Sequence, residues 1–185
     1  PKYKSIVNSN NGKRFNSPND LVASKNGDIY FTDPPYGLKK QDNDPLKDLD
    51  FNGVYKYSNG KISLISKELT RPNGLALSND ESLLYVANSD PKKAVWYVFD
   101  ISNTYEELIE TSPLVIFKDV TNLVGKKRGL PDGMKIHSTF DHEKVIKQLP
   151  TAVKSCQQVT TNCKNMSTPR PFFDYLEQLL TICLT

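Results

Sequence analysis

Three short turns in this sequence of 185 residues present oxygen-bearing side chains in the same local setting. They are Pro18-Asn19-Asp20, Pro72-Asn73-Gly74 and Pro131-Asp132-Gly133. The anchors Asn19, Asn73 and Asp132 stand 54 and 59 residues apart. Amide and carboxylate oxygens suit a hard divalent cation such as Ca2+, which gathers about six to eight oxygens from carboxylates, amides and water. A set with one carboxylate leaves the ion's charge incompletely neutralised, so the ion can polarise a carbonyl or activate water. One Asn or Asp after a proline commonly only caps a turn. Three in register are better explained by convergence on a shared site.

The elements that would position these residues repeat along the chain. Residues 18–33 run from Pro-Asn through an apolar strand and a polar turn into a second strand with a central Tyr, and residues 72–88 do the same. After Asn19 the alternation predicts strands at Leu21–Ala23, Ile29–Thr32, Gly53–Tyr57 and Ile62–Ile65, with turns at Asn26-Gly27 and Asn59-Gly60. After Asn73 it predicts Leu75–Leu77, Leu83–Ala87, Ala94–Phe99 and Leu114–Phe117. Four short strands per unit match a blade of a β-propeller, whose innermost strands line a central channel. Tyr3–Val7 is expected as the outer strand of a preceding blade. The fold class is therefore all-β: two full four-stranded blades plus fragments, an incomplete arc of a ring.

Composition supports a globular β-rich chain and removes several function classes. Nine Tyr and eight Phe favour strands. A net charge of +3, from 24 basic and 21 acidic residues, gives no basic face for nucleic acid. The clusters Lys39-Lys40, Lys92-Lys93 and Lys126-Lys127-Arg128 fall in loop-like stretches, where charge is usually solvated. No apolar run approaches the roughly 18 residues that span a bilayer, and no signal peptide follows Pro1-Lys2-Tyr3-Lys4. Cys156, Cys163 and Cys183 lack the spacing of a disulfide framework or of a zinc site with His137 and His142. Asp48 to Gly53 copies half an EF-hand loop, but Asn59 stands where the closing Glu belongs.

Arg14-Phe15-Asn16-Ser17-Pro18-Asn19-Asp20-Leu21, followed by Tyr30-Phe31-Thr32-Asp33-Pro34-Pro35-Tyr36-Gly37, resembles the gluconolactonase branch of the senescence-marker-protein/gluconolactonase/luciferin-regenerating family. Arg71-Pro72-Asn73-Gly74-Leu75-Ala76 and Gly129-Leu130-Pro131-Asp132-Gly133-Met134 resemble its next two motifs, so the likeness covers residues 1–135. The resemblance implies a six-bladed propeller holding one divalent cation, usually Ca2+, with Zn2+, Mg2+ or Mn2+ as substitutes. By motif position the ligands would be Asn19, Asn73 and Asp132, with a fourth, a Glu, lying upstream of Pro1. It also implies hydrolysis of a small-molecule sugar lactone. In that reaction Asp132 would orient or deprotonate the attacking water, and Asn19 would face the substrate. Asp20 supports the ligands from behind, faces the substrate, or caps its turn. With only part of the ring, activity of the chain alone is expected to be impaired. The alternatives are a non-catalytic calcium- or protein-binding module, or a phosphotriester hydrolase of the same architecture.

The repeat stops after Met134-Lys135. Residues 136–185 are expected to be a divergent tail, helical or disordered: a helix that packs its apolar stripe on its neighbours, a partner-binding helix, or the product of a shifted reading frame or a wrong gene join. Helical patterns run over Glu143–Leu149 and Phe172–Ile182, a polar stretch lies between them, and Asn165-Met166-Ser167 forms a glycosylation sequon.

Overall fold

The computed structural model describes residues 5–102 and 114–137. Within them, eight strands make two four-stranded antiparallel sheets, each in simple spatial order. A two-stranded hairpin, β1 (Ser9–Asn10) and β2 (Lys13–Arg14), precedes them. The first sheet is β3 (Leu21–Ala23), β4 (Ile29–Asp33), β5 (Gly53–Ser58) and β6 (Lys61–Ser66). The second is β7 (Pro72–Leu77), β8 (Leu83–Asp90), β9 (Lys93–Asp100) and β10 (Val115–Asp119). All eight strands anticipated from the two repeats are present, with ends shifted by a few residues.

Local chemistry accounts for the meander. Ser58 pairs with Lys61 across Asn59-Gly60, whose φ angles of 49° and 82° give the left-handed pair that a two-residue hairpin needs. The middle strands are buried on both faces, so they read as nearly continuous apolar runs: Leu83 to Ala87 in β8, Ala94 to Phe99 in β9.

The largest core lies between the sheets. Tyr30, Val54, Ile65 and Leu69 from the first unit pack on Leu75, Leu84, Val86, Val95, Tyr97 and Phe99 from the second. On the far side of the first sheet Phe15, Phe31 and Tyr55 cluster with ring centroids 5.0–5.3 Å apart. The far side of the second sheet is covered by Val120, Leu123, Leu130 and Met134 over Ala87 and Trp96. The chain between β10 and Ile136 therefore lies as a further layer, which places the third Pro-Asp-Gly turn beside the second sheet.

The expected strand at Tyr3–Val7 is corrected for its described part, since residues 5–7 form no strand. The chain instead turns back at Asn11-Gly12, whose φ angles of 49° and 77° nucleate the small hairpin, and Val7 packs on the Phe15 cluster. The half EF-hand has no flanking α-helix among the described residues. Its Asp48 accepts the main-chain N–H of Arg14 at 3.2 Å, and its Gly53 opens β5. No helix among the described residues is long and apolar enough to cross a membrane. The tail readings at 143–149 and 172–182, the three cysteines, His142 and the Asn165 sequon lie outside the described residues.

Candidate active site

The second repeat start is the hub. β7 pairs with β8 at Pro72↔Asn88 and again at Leu75↔Val86, so Asn73 and Gly74 sit in a β-bulge. A bulge bends the strand and re-aims its side chains, as often happens beside functional sites. The Asn73 Nδ2 donates to Ser89 Oγ at 2.9 Å, and the Ser89 hydroxyl in turn meets the carbonyl oxygen of Pro131. A Cβ on Gly74 would fall 2.3 Å from the Asp132 carbonyl oxygen and 2.5 Å from Gly133 Cα. Residues 132–133 thus rest directly on the main chain of the second repeat start.

The first repeat start reaches the same place through Thr32. Asn19 N donates to the Thr32 carbonyl at 2.9 Å, and the fully buried Thr32 hydroxyl donates to the Asn73 carbonyl at 2.8 Å. An unbroken run of contacts therefore links Asn19, Thr32, Asn73, Ser89, Pro131 and Asp132.

The side chains differ in what they already hold. Asn19 and Asp132 are exposed and Asn73 is half-buried. Asp132 Oδ1 accepts the N–H of Gly133 at 2.8 Å. Asp20 is committed to main chain on both sides: Oδ1 accepts from Leu21 N at 2.8 Å, Oδ2 from Leu75 N at 3.3 Å. It caps its own turn and ties the start of β3 to β7.

Three neighbours escaped the sequence reading. Tyr36 lies close to Ser89 and Asn73. Burial pushes its phenol above the usual range, offset by the Ser89 contact and the Arg71 charge, while the Asp132 charge pushes the same way as burial. Its loop is clamped by Ser17, whose hydroxyl donates to the Pro34 carbonyl at 2.6 Å and accepts from Gly37 N at 2.8 Å. Arg71 is held by Asp42, Nη1 to Oδ2 2.5 Å, and by the Thr70 carbonyl at 2.7 Å. Ser89 directly follows Asn88, the residue closing the second repeat, and that adjacency was its one available signal.

The donor set fits a hard cation and poorly fits a soft one. Among the described residues no three of His, Cys, Asp and Glu gather closely enough to hold a metal. Among the described residues the three repeat starts carry none of the nitrogen or sulfur ligands that Zn2+ favours. The three repeat starts offer two amide oxygens and one carboxylate instead. Because the Asn73 Nδ2 is spent on Ser89, its Oδ1 is the atom left for a cation.

Residues 2–144 match the family model described as the SMP-30/Gluconolactonase/LRE-like region. The chain is 44% identical over 136 residues to a gluconolactonase of Zymomonas mobilis, covering 71% of this chain and 36% of that protein. It is 24% identical over 157 residues to the lactonohydrolase oryL of Aspergillus oryzae, covering 72% of this chain and 34% of that one. The chain thus spans about a third of the length of these curated relatives. A solved gluconolactonase structure from Xanthomonas campestris superposes with a TM-score of 0.51 at 27% identity, covering 71% of this chain and 41% of that one.

Proposed function

This chain belongs to the SMP-30/gluconolactonase/LRE-like family, and on that premise we propose that it carries the metal-binding part of a sugar-lactone hydrolase. The two sheets are neighbouring blades of a six-bladed propeller, and Asn19, Asn73 and Asp132 contribute oxygens to one hard divalent cation, Ca2+ first. When bound, the cation supplies electrophilic stabilisation of the lactone carbonyl oxygen. The observation that carries the reading is the run of contacts through Thr32 and Ser89, which links three sequence-distant repeat starts.

The protein's own groups divide the remaining work. Asp132 keeps Oδ2 for the attacking water, since Oδ1 is taken by Gly133. As the water oxygen adds to the lactone carbonyl carbon Asp132 takes its proton, the ring C–O bond breaks, and the departing ring oxygen takes that proton to give the hydroxy acid. Asn19, exposed beside the site, faces the sugar. Asp20 acts one step back, holding the backbone on which Asn19 and Leu75 stand.

The test is hydrolysis of glucono-lactone followed by acid release, with Ca2+ and after chelation. Turnover that chelator abolishes and Asp132→Asn lowers by at least about a hundredfold supports the reading. No turnover with ion in excess, while ion binding persists, leaves a non-catalytic calcium-binding module.

A further inference from the structure

Ser89 stands where a direction is forced on the hydrogen bonds around it. The Pro131 carbonyl can only accept, so the proton between these two residues belongs to the Ser89 hydroxyl. With that proton committed, Ser89 Oγ can only accept from Asn73, which must present its NH2 and not its carbonyl. An Asn amide has two orientations of nearly equal shape, and its network decides between them. Here Pro131 dictates to Ser89, and Ser89 dictates to Asn73. The Asn73 Oδ1 is left on the opposite side, available to a ligand.

The same hydroxyl holds the third repeat start. Pro131 is buried, and the next residue is the exposed Asp132, so fixing the Pro131 carbonyl fixes where the Asp132 side chain begins. Ser89 is itself pinned, its N–H donating to the Arg71 carbonyl at 2.8 Å. One hydroxyl therefore sets the polarity of one candidate ligand and the place of another.

We propose that Ser89 is a positioning residue for the cation site: its hydroxyl locks Asn73 with the amide oxygen outward and seats the Pro131-Asp132 turn. This rests on the reading of Asn19, Asn73 and Asp132 as ion ligands. It predicts that the hydroxyl, more than the volume of the side chain, matters for ion affinity.

The experiment titrates Ca2+ into the whole chain by calorimetry, for the parent, Ser89→Thr and Ser89→Val. Thr and Val have nearly the same shape and differ in the hydroxyl. Ser89→Val is expected to lose roughly tenfold or more in affinity, the scale for removing a group that orients a ligand. Ser89→Thr should bind within a few-fold of the parent. Parent and Ser89→Val binding equally overturns the assignment of Ser89 while leaving the ion site standing. Thr and Val losing affinity alike overturns it too, because packing and not the hydroxyl is then at work. A parent chain that takes up no ion overturns the ligand reading itself, and with it this inference.

Discussion

Asp33 and Asn88 lie in the second strands of successive sheets, Asp33 at the end of β4 and Asn88 near the end of β8, and each accepts main-chain N–H from the loop before the first strand of its sheet. Asp33 takes Asn16 N at 2.8 Å and Ser17 N at 2.7 Å; Asn88 Oδ1 takes Arg71 N at 2.7 Å. Both side chains are fully buried. The difference between them is charge. Burial pushes the Asp33 carboxyl up to about 6, against the two N–H bonds and the Lys47 charge that favour its ionised form.

The first prediction follows from that elevation. A carboxyl whose folded pKa exceeds its unfolded value of 3.8 binds its proton more tightly in the native state. Its contribution to stability is therefore full below 3.8 and is lost as pH rises to about 6. At about 1.4 kcal/mol per pKa unit the loss reaches up to about 3 kcal/mol. Asp33→Asn copies the second sheet and removes this slope. Urea unfolding at pH 4, 5, 6 and 7 should show the variant gaining stability relative to the parent across that range. A constant difference would mean that Asp33 titrates normally.

The second prediction concerns Gly74. The atoms that a Cβ would meet belong to the backbone of residues 132 and 133, so no flexible side chain can move aside. Gly74→Ala should cost about 1–3 kcal/mol, the usual range for overpacking. It should also push the Asp132 turn off β7 and weaken Ca2+ uptake. Unchanged melting together with unchanged uptake would show that the turn yields freely.

Much of the architecture was legible because its causes are local. Alternation fixed the strands, and Asn59-Gly60 fixed a hairpin through its own backbone preference. Asn19, Asn73 and Asp132 stood out through the repeat. Ser89, Tyr36 and Arg71 did not, because their roles depend on partners outside their own turns: Ser89 meets Asn73 and Pro131, 16 and 42 residues away. Asp20 stayed ambiguous for a similar reason. Its bond to Leu21 is a local cap, whereas its bond to Leu75 spans 55 residues and exists only once the sheets have docked. Residues 5–7 form no strand, because the turn at Asn11-Gly12 pairs Ser9–Asn10 with Lys13–Arg14 instead.

A third prediction tests the fold away from the site. Lys56 Nζ lies 2.7 Å from Asp28 Oδ2 and 5.6 Å from the Tyr30 ring centroid, with both charged side chains mostly shielded. For Asp28, burial acts to raise the pKa, but the bonds from Lys56, Ser58 and Asn26 outweigh it and hold the carboxyl below 3.8. That contribution is present above 3.8 and fades as pH falls through the lowered native value. Asp28→Asn leaves the Lys56 charge poorly paired and should cost about 3 kcal/mol at pH 7, the low end for a broken buried pair. A thermal melt within a degree of the parent's would show that the pair contributes nothing.

The last prediction separates a ligand from a brace. Asn73→Asp adds a negative charge where an oxygen donor is proposed, yet it removes the NH2 that Ser89 accepts. The Ser89 proton cannot serve both Pro131 and a carboxylate, so without ion one contact is lost, at about 1–3 kcal/mol. With Ca2+ the balance reverses, because added carboxylate charge strengthens binding of a hard cation. Melting temperatures measured with chelator and with millimolar Ca2+ should therefore show a variant less stable than the parent in the first case and with a larger ion-induced rise in the second. An equal deficit under both conditions would make Asn73 a structural brace alone, and the cation would have to sit elsewhere.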